Sequence, residues 1–135
     1  SDVYKRQILD PVANRLRQIG EERWTCLFCK RAMIAKAVEL APAYHVQALV
    51  MGDSLGQVAS QTISNMAAIS WNTPLPILRP LIAYDKNQIT ELARRIGTFD
   101  ISTRESAACP FLPHNPITNA NLEHLQAIIA QLAHA

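Results

Sequence analysis

The apolar run Ala48-Leu49-Val50-Met51 ends at Gly52 and opens through Asp53-Ser54-Leu55-Gly56-Gln57-Val58-Ala59-Ser60-Gln61-Thr62 into a second apolar-rich stretch. A short strand that stops at a glycine and passes through small polar residues into a helix start is how α/β proteins cradle phosphates and nucleotides. The stretch predicts an α/β chain with a nucleotide as its ligand. Strand, glycine loop and helix occur together in many folds, so the pattern alone does not fix which nucleotide chemistry is involved.

The flanking sequence follows the same grammar. Ile8, Val12, Leu16 and Ile19 recur at helical spacing, so Leu9 to Gly20 reads as an amphipathic helix with Pro11 near its start and Gly20 at its close. Phe28 to Ala41 reads as a second helix, interrupted by Pro42, and Val46 to Met51 as a short buried strand. After the loop, Val58 to Ile69 reads as a helix and Ile77 to Leu81 as a second strand. Asp85 is placed to cap a helix from Lys86 to Ile96, which Gly97 ends. Thr103 to Asn119, with Pro110, Pro113 and Pro116, has no period and reads as a long loop before a closing helix, Leu122 to Leu132. Strands separated by helices imply a parallel sheet. Two strands make a poor independent sheet, so further strands are expected to precede Ile8.

Composition narrows the class without naming a function. The 135 residues are 49% hydrophobic and 18% charged, with a net charge of +2. That describes an ordinary globular segment whose charge is too small to argue for nucleic-acid binding by itself. No apolar run approaches the roughly 20 residues that a bilayer requires, so no membrane partner is expected. Three cysteines, two of them in C-x-x-C, do not resemble the disulfide framework of a small secreted protein, and a cytoplasmic location follows. Residues 1–7 form a separate case. Asp2-Val3-Tyr4-Lys5-Arg6-Gln7 matches an in-frame translation of a sequencing-library transposon end, so this segment is set apart from the domain assigned to 8–135.

Cys26 and Cys29 stand beside Trp24, Lys30 and Arg31. Two cations next to a thiol at a helix start predict a lowered pKa, which favours thiolate chemistry or metal ligation. The plainer alternative is a pair of buried, inert thiols. Two cysteines do not complete a tetrahedral site, and Cys109, in the proline-rich loop, is the candidate third ligand. The histidines His45, His114, His124 and His134 are not spaced for a metal site. His114, near Cys109, is a candidate proton carrier or fourth ligand, with an ordinary loop histidine as the plainer reading. His45 falls at a helix-to-strand corner, where a side chain costs on the order of 1 kcal/mol if φ is positive.

Gly52 to Thr62, Leu78-Arg79-Pro80-Leu81 with Asp85-Lys86, and Arg95-Ile96-Gly97-Thr98-Phe99-Asp100-Ile101-Ser102 together resemble one family, the tRNA 4-thiouridine synthetases (ThiI). The resemblance runs from about Cys26 to Thr118. It implies the second half of a PP-loop (adenine nucleotide alpha hydrolase-like) parallel-sheet domain with flanking helices. The family's Ser-Gly-Gly-x-Asp-Ser phosphate loop and its RNA-binding module would lie upstream, and these 135 residues alone are expected to be inactive.

The implied reaction is ATP-dependent transfer of sulfur to a tRNA uridine. ATP adenylates O4, a sulfur nucleophile attacks C4, and AMP leaves. Family members also feed sulfur toward thiamine thiazole. In the family, residues matching Lys30, Gly52 and Gln61 contact the nucleotide, Mg²⁺ offsets phosphate charge through anchors expected upstream, and the cysteine matching Cys109 takes part in sulfur transfer. Family members often have glutamate where Asp53 stands, and Asp-Cys-Cys where this chain has Ala107-Ala108-Cys109.

Family members without a rhodanese domain hold an iron-sulfur cluster on three cysteines. The resemblance therefore implies a cluster on Cys26, Cys29 and Cys109. Members with rhodanese use a persulfide instead, and nothing after His114 resembles that domain. Implied partners are tRNA and a sulfur donor, either a cysteine desulfurase or sulfide, and a homodimer is left open. Arg79, Asp85 and Lys86 are candidates for the substrate side, with a structural strand-end role for Arg79 as the alternative. The rival functions are another PP-loop tRNA thiolase and a non-catalytic nucleotide- or metal-binding remnant.

Overall fold

Two parallel strands, β1 (Leu49–Val50) and β2 (Ile77–Leu78), pair in the register Leu49↔Ile77 and Val50↔Leu78. The computed structural model describes residues 2–104 and 108–134, with side chains described at Gln7 and from Leu9 onward. Ser1 of the segment set apart above, and Ala107 beside Cys109, lie outside the described residues. Around the strands run α1 (Asp2–Gln18), α2 (Thr25–Leu40), α3 (Ile63–Ser70), α4 (Lys86–Arg95), α5 (Phe99–Ser102) and α6 (Leu122–His134). Strand, helix α3 and strand form the β-α-β crossover that parallel pairing requires.

The core lies on one side of the strand pair. Leu16 of α1, Leu27 of α2, Ile69 of α3, and Leu125 and Ile128 of α6 are its fully buried large side chains, and Leu49 and Ile77 pack against them from the sheet. Val50 and Leu78, one residue further along each strand, point the other way and are 69% and 54% exposed. A parallel sheet covered on one face only fits half of a domain whose strands read as continuous hydrophobic runs.

Most helices fall where periodicity puts them, and the differences have local causes. α1 starts at Asp2 rather than Leu9, with Pro11 inside it. Pro11 removes one backbone bond, but Leu9, Ala13 and Leu16 keep a continuous buried face that holds the helix together. α2 starts at Thr25, three residues before the expected Phe28, so Cys26 and Cys29 sit in its first turns. α3 does not reach back to Val58. Thr62 stays extended and its hydroxyl accepts from the Asn65 backbone at 3.2 Å, while Ala59–Gln61 forms a separate 3-10 turn. Both strands are shorter than read because only two residues of each find a partner.

Asp85 caps α4 in a full capping box with Gln88, and Gly97 closes the helix at φ +77°. Among the described residues no helix is long and apolar enough to cross a membrane.

His45 ends the 3-10 turn Ala41–Tyr44 in the left-handed region, at φ 53° and ψ 35°. A Cβ there costs energy that glycine avoids. His45→Gly is therefore expected to stabilise the fold by roughly 0.5–1 kcal/mol. A thermal melt checks this, and a lower midpoint for the variant would overturn it.

Candidate nucleotide and sulfur site

The end of β1 delivers a buried carboxylate to two cations. Asp53, 3% exposed, follows Gly52 directly. Its Oδ1 accepts from Lys30 Nζ at 2.8 Å, across from α2, and its Oδ2 accepts from Arg79 Nε at 3.1 Å, just past β2. Arg79 Nη2 also donates to Ser70 Oγ at 2.8 Å, which ties the end of β2 to the last residue of α3. Burial pushes the Asp53 carboxyl up, but the hydrogen bonds and charges of Lys30 and Arg79 outweigh it and hold the group below its ordinary value. One carboxylate between two cations leaves the cluster with one surplus positive charge. Arg31, next to Lys30, turns the other way. It donates to the Ala68 and Trp71 carbonyls at 2.6 and 3.0 Å, capping α3, and lies over the Trp71 ring.

The loop after Asp53 folds back on itself. Ser54 Oγ donates to the Tyr84 carbonyl at 2.6 Å, and the Gly56 N–H donates to the Gln61 carbonyl at 2.9 Å. Gly56, at φ +75°, is the residue that needs glycine's freedom in this turn. Gly52 does not. Its φ is ordinary, and a Cβ built there would meet nothing within 4 Å, so its value is an open approach to backbone rather than a special conformation. Gln61 Oε1 is the one buried side-chain polar atom among the described residues with no hydrogen-bond partner. A buried acceptor lacking a donor, an open glycine and an ammonium in one region fit a nucleotide, which brings both phosphate charge and N–H or O–H donors.

Asn65 fastens this loop to the proline-rich segment. Fully buried at the start of α3, it donates through Nδ2 to the Ala59 and Ile117 carbonyls at 2.7 and 2.8 Å and accepts from the Ala120 N–H at 2.9 Å. Thr62 Oγ1 adds a bond to the Thr118 carbonyl at 2.8 Å. Sequence reading passed over Asn65. The available signal was a polar residue inside the apolar stretch Ile63 to Ile69.

The three thiols share an electrostatic neighbourhood. Cys29 is buried, Cys26 half-buried and Cys109 exposed. Their acidity runs against the sequence expectation. Burial pushes the Cys26 thiol up and Cys109 adds to the rise, with Lys30 opposing. Burial, then Cys26 and Cys109, push Cys29 up to about 12. The expected lowering fails because desolvation outweighs the opposing charge of Lys30, which bonds Asp53, while Arg31 turns away to α3.

Among the described residues no three Cys, His, Asp or Glu side chains are gathered into a metal-holding group. The donor set for an iron-sulfur cluster is therefore not assembled in this arrangement. His114 lines a cavity of about 130 Å³ with Arg17, Glu22 and Thr25. His124, which sequence reading left without a role, pairs with Glu21 at 2.8 Å and packs on Trp24. Asp85 and Lys86 serve the start of α4.

A parallel β-α-β unit with its glycine loop, buried carboxylate and paired cations defines the second half of a PP-loop nucleotide-binding domain. The family model described as "Thiamine biosynthesis protein (ThiI)" matches residues 6–133, and the chain belongs to that family. Relatives include proteins named "Probable tRNA sulfurtransferase" from Methanocaldococcus jannaschii, 47% identical over 125 residues, and from Thermococcus kodakarensis, 40% identical over 126 residues. Each match covers 93% of this chain but only 32% and 33% of the respective relative, so the chain spans about a third of their length. A solved 4-thiouridine synthetase in complex with RNA and bound ATP superposes with a TM-score of 0.77 at 32% identity, over 83% of this chain and 30% of that one.

Proposed function

We propose that this chain supplies nucleotide-contacting and sulfur-handling residues to an ATP-dependent tRNA uridine 4-sulfurtransferase of the cytoplasm. The observation that carries the reading is the loop after β1, where Gly52 is open, Asp53 beside it bonds Lys30 of α2, and Gln61 Oε1, further along, is buried without a partner. Membership of the ThiI family and similarity to a 4-thiouridine synthetase solved with RNA and ATP support it.

In this reading Lys30 offsets phosphate charge, Gly52 lets the nucleotide lie against backbone, and Gln61 Oε1 accepts from an amino or hydroxyl group of the nucleotide. The uridine O4 attacks the α-phosphorus and pyrophosphate leaves. A sulfur nucleophile then adds at C4 and AMP departs with the O4 oxygen. Cys109, exposed on its loop with Cys26 and Cys29 near it, attacks the outer sulfur of a cysteine desulfurase persulfide and releases the desulfurase thiol, so that the sulfur passes to it as a persulfide. Where the donor is sulfide, the sulfide itself is the nucleophile that adds at C4. A three-cysteine cluster at these positions requires the sulfurs to draw together and Cys29 to ionise from about 12. A link to thiamine thiazole formation rests on the same sulfur handling.

The test is ATP-dependent thiolation of unmodified tRNA by the product of the complete gene, with pyrophosphate release, AMP release and protein-bound iron measured alongside. Cys109→Ala is expected to abolish 4-thiouridine and the AMP release that accompanies it while leaving pyrophosphate release in the first turnover, and Lys30→Met to lower 4-thiouridine and pyrophosphate release alike by roughly tenfold or more. Thiolation unchanged in Cys109→Ala would overturn the role of that thiol.

A further inference from the structure

Asp53 is held by two cations where one would neutralise it, and the two are not equivalent. Arg79 is fixed at both ends of its guanidinium, by Asp53 at 3.1 Å and by Ser70 at 2.8 Å. Lys30 donates to Asp53 at 2.8 Å, and its side chain is 22% exposed against 17% for Arg79. A buried carboxylate stripped of its only cation is strongly penalised. A site with one carboxylate and one lysine would therefore resist giving up the lysine to a ligand. A second, anchored cation removes that resistance.

We propose that Arg79 is a positioning residue that lets Lys30 change partners, so that the ammonium leaves Asp53 for a phosphate oxygen while Arg79 keeps the carboxylate ionised and paired. The proposal rests on the reading of Lys30 as a phosphate contact and adds to it the means by which the lysine becomes available. Asp53 parks the ammonium in the absence of ligand, which keeps its long side chain near the geometry it uses when phosphate arrives. Arg79 touches neither the nucleotide nor the reacting atoms, and it acts through Asp53.

The experiment is ATP binding by titration calorimetry with the product of the complete gene, in variants whose folding is checked by circular dichroism. Arg79→Met removes the second cation and leaves Asp53 to hold Lys30, and its affinity is expected to fall roughly tenfold or more. Adding Asp53→Asn to Arg79→Met removes the carboxylate that retains Lys30, and affinity is expected to return to within about threefold of the parent. Lys30→Met and Lys30→Met with Arg79→Met are expected to bind alike, because Arg79 has no effect once the lysine is gone.

A loss in Arg79→Met that Asp53→Asn does not restore would overturn the proposal, as would a further loss when Arg79→Met is added to Lys30→Met, since that pattern belongs to a direct contact or a long-range field. Should Arg79→Met not fold, Arg79→Lys keeps a cation on Asp53 without the Ser70 bond. Parent-like affinity in that variant supports the proposal and a tenfold loss overturns it. A parent protein that binds no ATP would instead bring down the nucleotide reading itself, and a parent that binds ATP with Lys30→Met unaffected would overturn the proposal together with the role of Lys30 while leaving the nucleotide reading in place.

Discussion

Asn65→Ala is expected to destabilise the fold by about 3–5 kcal/mol. The side chain is fully buried and satisfies two carbonyls and one amide N–H, from Ala59, Ile117 and Ala120. Its removal leaves three backbone groups without partners, each costing about 1–3 kcal/mol, although a water entering the vacated space recovers part of the sum. Asn65→Asp separates hydrogen bonding from volume. It keeps an acceptor for Ala120 but sets a carboxylate oxygen against two carbonyl oxygens, and is expected to cost at least as much at neutral pH. Urea denaturation of the two variants checks both numbers. A loss below about 1 kcal/mol in each would mean that the segment around Ile117 is held by other contacts.

The effect is expected to extend past stability because Asn65 joins the two segments that carry the proposed site residues Gln61 and Cys109. Ala59 lies in the turn that carries Gln61, while Ile117 and Ala120 follow the proline-rich stretch that carries Cys109. One amide sets how the loop proposed to hold the nucleotide and the loop proposed to handle sulfur sit relative to each other, so the variant is expected to lose both proposed functions together.

The parts of the structure that rest on near neighbours in sequence were legible beforehand. Asp85 and Gln88 are three residues apart, and the capping box they form needs no tertiary partner. Gly97 could be placed because a helix end favours a left-handed residue whatever surrounds it, whereas the left-handed φ of His45 was only a conditional expectation at its helix-to-strand corner. What failed, failed where a distant group decides. Val58 to Ile69 has the apolar content of one helix, but Thr62 takes the cap with help from Thr118, 56 residues away.

The thiols show the same limit more sharply. Cys26 and Cys29 stand next to Lys30 and Arg31 in the sequence, yet those cations are claimed by Asp53, 23 residues from Lys30, and by Ala68, 37 residues from Arg31. Sequence adjacency therefore gave the wrong sign for the thiol pKa. Lys30, Gly52 and Gln61 were proposed as nucleotide contacts from family spacing. The Asp53–Arg79 pair, 26 residues apart, was invisible to both kinds of reading.

Asp53→Asn is expected to cost about 2–4 kcal/mol at neutral pH, through the loss of the charge that compensates Lys30 and Arg79. The cost falls short of a fully sealed pair because the side chains of Lys30 and Arg79 keep 22% and 17% exposure and reach water. The carboxyl is held below its ordinary value of 3.8, so the stability it contributes is present above that value and is lost as pH falls through the depressed folded value. The gap in urea midpoint between the parent and Asp53→Asn is therefore expected to be widest above pH 3.8 and to close on further acidification. A gap independent of pH would mean that shape and hydrogen bonding at this position, rather than charge, hold β1 to α2 and β2. The same substitution releases Lys30, so it is expected to weaken the fold without weakening ATP binding. That opposite response separates the structural work of the carboxylate from its work as a parking place for the ammonium. On the proposed reading a phosphate offsets the one surplus positive charge of this cluster, so nucleotide binding is expected to raise the urea midpoint of the parent.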